Sequence, residues 1–275
     1  MSVKKFLYFG DLVGRPGCFM FQKHAQQLKK QHDADAILVN GENTAVNGRG
    51  ITPRTINFLK HNGADVITGG NHMFQRKEVY ETLNERTDVL RPANFPADCP
   101  GKGVTTFRCG DTTIGVINAQ GRIFMRELVS DPFKAIASAC TYLKHKTSTI
   151  LLDFHGETTS EKSAIAHCFD GQISAMVGTH THVQTADERI LPGGTSIITD
   201  LGMSGALHSI IGMKKEKIIY NLTTQLPVKF EVEETPPYML SGVCIAIDTD
   251  TGKTVSIERF RVVDEDVNLH SINSV

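Results

Sequence analysis

Several features are missing from this 275-residue sequence, and each absence removes a class of protein. No apolar run is long enough to span a bilayer, so a soluble, membrane-free protein is expected. Lys4 and Lys5 precede an apolar FLYF, but Asp11 interrupts it and no small-residue cleavage site follows. That stretch is predicted to be a buried strand, not a secretion signal. The six cysteines, Cys18, Cys99, Cys109, Cys140, Cys168 and Cys244, include no CxxC pair, which predicts free thiols in a reducing cytoplasm. Charge of one sign is also lacking: 29 Lys and Arg face 30 Asp and Glu. A net charge of −1 leaves no basic field for gripping extended nucleic acid, though a bound metal can still attract a small anion. GDLVGRPG has neither the GK[ST] of a P-loop nor GxGxxG spacing. Without repeats, low-complexity tracts or linkers, one domain over residues 1–275 is expected.

What is present is a rhythm. KKFLYFGD, AILVNGEN and ADVITGGNH are short apolar runs ending in Gly and polar residues, and helix-like segments from Pro16 to His32 and from Pro53 to Asn62 separate them. This βαβαβ pattern predicts a mainly parallel sheet with helices outside. Thr52 as N-cap, Pro53 at the first helical position and Gly63 past the end punctuate the second helix. GVTTFRCGDTTIGVINAQG then reads as an antiparallel pair turning at Gly110 and Asp111, which begins a second sheet. A helix from Asp131 to Lys144 and a capping box of Thr158 and Glu161 follow, and a hairpin turning around Asp248 to Gly252 closes the chain. The fold class is therefore α/β, two sheets with outer helices.

The chemistry gathers at the ends of the predicted strands: Asp11, then Glu42 and Asn43, then Asn71 and His72, then His155, then His180 and His182. In VGTHTHVQ the two imidazoles are two residues apart, so both face one space if the strand persists through Thr181. Singly, each group has a structural reading as a turn, a cap or a satisfied histidine. Together, five segments bring metal-ligand chemistry to what the rhythm predicts is the carboxyl edge of one sheet, where ligands of α/β sheets collect. Carboxylate, amide and imidazole donors without thiolate suit Mn²⁺, Fe²⁺ or Zn²⁺ and not a structural zinc. One tetrahedral ion cannot use so many donors. Two ions about 3.5–4 Å apart that share a carboxylate can, and such pairs serve displacement at phosphorus.

GD, NGEN, GGNH, DFHGE and GTHTH, in this order, resemble the motif set of calcineurin-like metallophosphoesterases. GDLVGRPG, VNGENTAVNGRGIT, RPANFP, TSEK and VGTHTHVQTADERILPGGTSIITDLGM resemble more closely the YmdB-like bacterial branch, whose members are phosphodiesterases active on 2′,3′-cyclic nucleotides. The resemblance implies a four-layer αββα sandwich. The wider superfamily begins with DxH, whereas Val13 stands two residues after Asp11 here, so Asn43 is the substitute ligand the resemblance suggests.

Carried over residue by residue, the resemblance implies one metal held by Asp11, Glu42, Asn43 and His182, and another held by Glu42, Asn71, His155 and His180. Glu42 bridges, a shared hydroxide attacks, and His72 protonates the leaving oxygen or stabilises phosphoryl charge. Fe or Mn is expected, with Zn compatible. The substrate expected is a small phosphorylated molecule, a 2′,3′-cyclic nucleoside monophosphate. Phosphomonoesterase or nuclease action on the same ions is the enzymatic alternative, and a regulatory nucleotide- or RNA-binding protein is the non-enzymatic one. The loop NGRG reads as a solvated turn, with a mobile loop near the site whose Arg49 meets a phosphate as the alternative, and LGMSGALHSIIGM, with Ser204, His208 and Ser209, as a candidate pocket wall or, equally, a crossover or an oligomer contact. The sequence leaves a homo-oligomer open.

Overall fold

The computed structural model describes residues 2–265; Met1 and residues 266–275, which the single-domain expectation includes, lie outside the described residues. One sheet contains β1 (Val3–Phe9), β2 (Asp11–Leu12), β3 (Ala36–Asn40), β4 (Val66–Thr68), β11 (Met203–Ala206), β12 (Tyr238–Asp248) and β13 (Lys253–Asp264). The other contains β5 (Val104–Cys109), β6 (Thr112–Gln120), β7 (Thr149–His155), β8 (Ala175–Thr179), β9 (Arg189–Ile190) and β10 (Ser196–Ile198). The helices are α1 (Gly14–Gln31), α2 (Pro53–His61), α3 (Val79–Glu85), α4 (Pro132–Lys144), α5 (Thr159–Cys168) and α6 (Lys215–Thr224).

Alternation along the strands builds the layers. In β1, Phe6 and Tyr8 enter an inter-sheet core with Leu38 of β3, Val116 of β6, Leu151 of β7 and Val177 of β8. Leu7 and Phe9 point the other way, where Phe19 and Phe21 of α1, Ile56 and Leu59 of α2 and Leu83 of α3 cover the sheet. Likewise Ile150, Leu152 and Phe154 of β7 pack on Ile136 and Leu143 of α4 and Ile165 of α5. Period-two side-chain direction thus lets each strand feed two apolar layers, and the result is the expected αββα sandwich.

Three local expectations change. The first sheet is mixed: β1 is parallel to β3 but antiparallel to β12, because the C-terminal hairpin inserts β12 beside it. Thr158 caps α5 by accepting from the Glu161 amide, but no capping box closes. The Glu161 carboxylate instead accepts from the Arg122 and Ile123 amides, so a tertiary loop has taken it. Strand β8 ends at Thr179, so it does not persist through Thr181. By contrast α2 has its predicted cap, with the Thr52 side chain accepting from the Thr55 amide, and the β5–β6 hairpin turns at Gly110 with φ +60°.

Candidate metal centre

Strand ends deliver the expected residues. Asp11 follows β1, Glu42 and Asn43 follow β3, Asn71 and His72 follow β4, His155 ends β7, and His180 and His182 follow β8. The sequence rhythm put them on one sheet; the structure divides them between both. Because the sheets pack face to face, their carboxyl edges meet and the eight side chains come together in one cleft.

Four of them crowd one point. Around His155 Nε2 lie Glu42 Oε1 at 3.2 Å, Asn71 Oδ1 at 2.9 Å and His180 Nδ1 at 3.0 Å. Glu42, His155 and His180 each offer an atom within 4.8 Å of the others. His155 Nδ1 contacts Thr179 Oγ1 at 2.9 Å, and that hydroxyl donates to Asp153 Oδ1, so the proton belongs on Nδ1 and the Nε2 lone pair faces the cluster. Acceptors converging on one point suit a cation. Burial pushes the His155 imidazole down, but the carboxylates of Glu42, Asp11 and Asp153 outweigh it and raise it to about 9. Burial and the neighbouring His155 lower His180 to about 3, so its ring is neutral. Burial likewise opposes ionisation of Glu42, yet His155 and His72 hold it well below the usual carboxylate range.

The remaining residues form a looser group. His182 Nε2 is 4.0 Å from Asp11 Oδ1, close to the largest separation, about 4.2 Å, of two atoms that each bind one ion at about 2.1 Å. Asp11 Oδ1 and Asn43 Oδ1 are buried without a hydrogen-bond partner, an arrangement that costs about 1–3 kcal/mol per group unless something fills it. Burial raises Asp11 above the usual carboxylate range, with His182 and His155 opposing. Asn43 Nδ2 donates to Gly48 O and meets His72 Nδ1, so its oxygen is the atom left over. His182 Nδ1 donates to Ile211 O at 2.9 Å, which leaves Nε2 as the ligand atom. These donors fit a second cation.

The imidazoles of HTH do converge, but not by strand alternation. His180 and His182 have φ of 105° and 66°, left-handed values that cost a non-glycine residue of order 1–3 kcal/mol. Asp200 holds the turn between them by accepting from the Thr181 amide at 3.0 Å and the Gly202 amide at 2.8 Å. Its charge is matched by Lys162 Nζ at 2.8 Å, and both side chains are 1% exposed. The sequence reading missed Asp200 and Lys162 as site residues. A lysine in the TSEK helix and an Asp ending the SIITD strand were the signals, but only the fold pairs them. It also missed Asp153, the one carboxylate in the apolar strand LLDFH, which accepts from Thr68, Thr179 and Asn40.

His72 stands beside the cluster. Its Nδ1 is 3.1 Å from Glu42 Oε1 and 3.0 Å from Asn43 Nδ2, and its amide donates to Glu42 Oε2. Nε2 makes no hydrogen bond among the described residues and its ring borders the cleft. Val13 is fully buried among Met203, Met213, Val232 and Met239, a packing role with no ligand atom. Of the candidate wall, Ser204 is buried in β11, His208 is exposed and the Ser209 hydroxyl donates to Ala206 O. Ile211 and Met213, at the end of the same LGMSGALHSIIGM segment, do line the cleft, because the turn after β11 carries these later residues back over the site.

The fold is one already met in solved structures. A crystal structure of a phosphatase from Mycoplasma pneumoniae superposes with a TM-score of 0.90 at 34% identity, over 99% of this chain and 98% of that one. A candidate 5′-nucleotidase from Staphylococcus aureus, 18% identical, gives 0.64 over 96% of this chain and 55% of that one, a likeness of fold alone. These define the class, a metallophosphoesterase fold of the phosphoester hydrolases. Within it, the family model described as YmdB-like protein matches residues 7–260, and the chain belongs to that family. The 2′,3′-cyclic-nucleotide 2′-phosphodiesterase of Bacillus subtilis strain 168 is 44% identical over 261 residues, 95% of this chain and 98% of that protein. No described helix is long and apolar enough to cross a membrane.

Proposed function

We propose that this chain is a dinuclear, metal-dependent phosphodiesterase that hydrolyses 2′,3′-cyclic nucleoside monophosphates in the cytoplasm, as one domain over residues 1–275. The observation that carries the reading is the position of Glu42, whose carboxylate touches His155 and His72 while the adjacent Asn43 keeps a buried oxygen without a hydrogen-bond partner. The identity to the Bacillus subtilis phosphodiesterase supports the substrate class.

Asn71, His155 and His180 would hold one divalent ion and Asp11, Asn43 and His182 the other, with Glu42 shared. Fe or Mn suits this oxygen and nitrogen set, and Zn is compatible with it. Bound there, two such ions supply Lewis acidity at phosphorus and lower the pKa of a coordinated water. The chain's own residues do the rest. Asp153 and Thr179 keep the His155 proton on Nδ1; Ile211 O does the same for His182. Glu42 and Asn43 fix His72 through Nδ1, which leaves Nε2 to give a proton to the departing ribose oxygen as its bond to phosphorus breaks and water adds. All six cysteines are free, in keeping with a reducing compartment.

Metal content and hydrolysis of 2′,3′-cyclic AMP, measured together on the purified protein and on Glu42→Ala, test the reading. About two metal equivalents with activity lost in the variant would support it. A metal-free, inactive protein that Mn²⁺ does not activate would sink it in favour of a nucleotide-binding role.

A further inference from the structure

Phosphodiester chemistry needs charge and hydrogen bonds, yet half of this cleft is apolar. A cavity of about 290 Å³ lined by His72, His180 and His182 also has an apolar wall of Ile211, Met213, Ile218 and Phe230. The Arg49 guanidinium lies 6.0 Å from the centre of the Phe230 ring. Phe230 and Ile218 are half-buried against a buried cluster that contains Met213, so the wall is backed by packed core and is not a floppy surface. It is also tied to the proposed metal side, because Ile211 O is the acceptor of His182 Nδ1. A group held at the histidines therefore has the wall one residue away.

We propose, resting on the phosphodiesterase reading, that this wall is a nucleobase subsite. Phe230 stacks on the base, Arg49 closes over the stacked pair, and Ile211, Met213 and Ile218 form the floor. A substrate made only of phosphate and polyol would gain nothing from such a surface, whereas every base has a π face and apolar edges. The wall offers no donor or acceptor side chain to read base edges. Of the polar side chains that share the cavity, Asn43 Nδ2 is engaged with Gly48 and His72, and Glu157 with His180 Nε2. Base identity is therefore expected to matter little, with the four cyclic nucleotides turned over within about tenfold of one another.

The test compares kcat/KM of the metal-loaded protein for the four 2′,3′-cyclic nucleotides and for glycerol 1,2-cyclic phosphate, which lacks a base. The wild type should prefer every nucleotide by about tenfold or more, mainly through KM. Phe230→Ala should cut that preference about tenfold, and Phe230→Trp, which keeps an aromatic face, should preserve it. Equal use of the glycerol substrate by the wild type, or an unchanged preference in a folded Phe230→Ala, overturns the subsite while leaving the phosphodiesterase reading intact. If neither substrate is cleaved, that reading has failed and calorimetry decides the subsite. Tighter binding of 3′-AMP than of glycerol 3-phosphate, lost in Phe230→Ala, upholds it, and equal binding overturns it.

Discussion

Around His155, three neighbouring ligand-type atoms lie between 2.9 and 3.2 Å from Nε2, while around Asp11 the nearest imidazole nitrogen is 4.0 Å away and two buried oxygens have no partner. Both groups sit in one cleft, and Glu42 and Asn43 are neighbours in sequence, so the contrast is one of support. His155 is within β7, paired in parallel with Thr179 of β8, and three ligand-type side chains already meet at its Nε2. Asp11 opens β2, paired with Met203 of β11, and His182 lies in the turn after β8, held by Ile211 O and by the Asp200–Lys162 pair. The group around His155 is preassembled by direct contacts. The group around Asp11 is completed by whatever neutralises Asp11 and Asn43.

The contrast can be broken from either side. The largest effect is expected from Gly70→Ala, since a Cβ there would stand 2.3 Å from His155 Cδ2 and 2.4 Å from Glu42 Oε2. Metal content should fall from about two equivalents to one or none, with activity lost; a fully loaded variant would show that the cluster around His155 holds no metal. His72→Ala leaves every proposed ligand atom in place while removing the Nδ1 contacts with Glu42 and Asn43, so turnover should drop by about 10²–10⁴-fold with metal retained. Loss of metal in that variant would make His72 a ligand.

Lys162→Met attacks the turn that carries His180 and His182. It leaves Asp200 buried without its cation, which should cost about 3–5 kcal/mol of stability, and metal affinity should weaken first on the Asp11 and His182 side. Two equivalents bound with unaltered affinity would mean that the pair serves packing and not the turn. The smallest effect lies outside the site. Burial raises Asp88, but Arg86 and Lys60 outweigh it and hold its carboxyl below the usual range. A depressed folded pKa gives stability that is present above the unfolded value of about 4 and lost as pH falls through the folded one. Asp88→Asn should therefore lower stability by about 0.5–1 kcal/mol at pH 7 and change nothing near pH 2, with both ligand groups loaded as before.

Particular residues show how far the sequence reached. Thr52 and Pro53 opened α2 where their local chemistry said, and the β5–β6 hairpin followed from Gly110, because caps and turns need only neighbours in the chain. Glu161 carried an equally good local signal and went elsewhere, since two loop amides competed for its carboxylate. Helix α6 has no buried residue to mark it with an apolar stripe, and α3, of seven residues, is too short for a clear period.

The sequence by itself determined the strand-end inventory and the family, because ligand types and motif order are written along the chain. Only the tertiary structure decided that two sheets share the eight residues, that Asp200 and Lys162 set the HTH turn, and that Phe230 lines the cleft. Those relations join residues far apart in sequence, and packing alone brings them within reach.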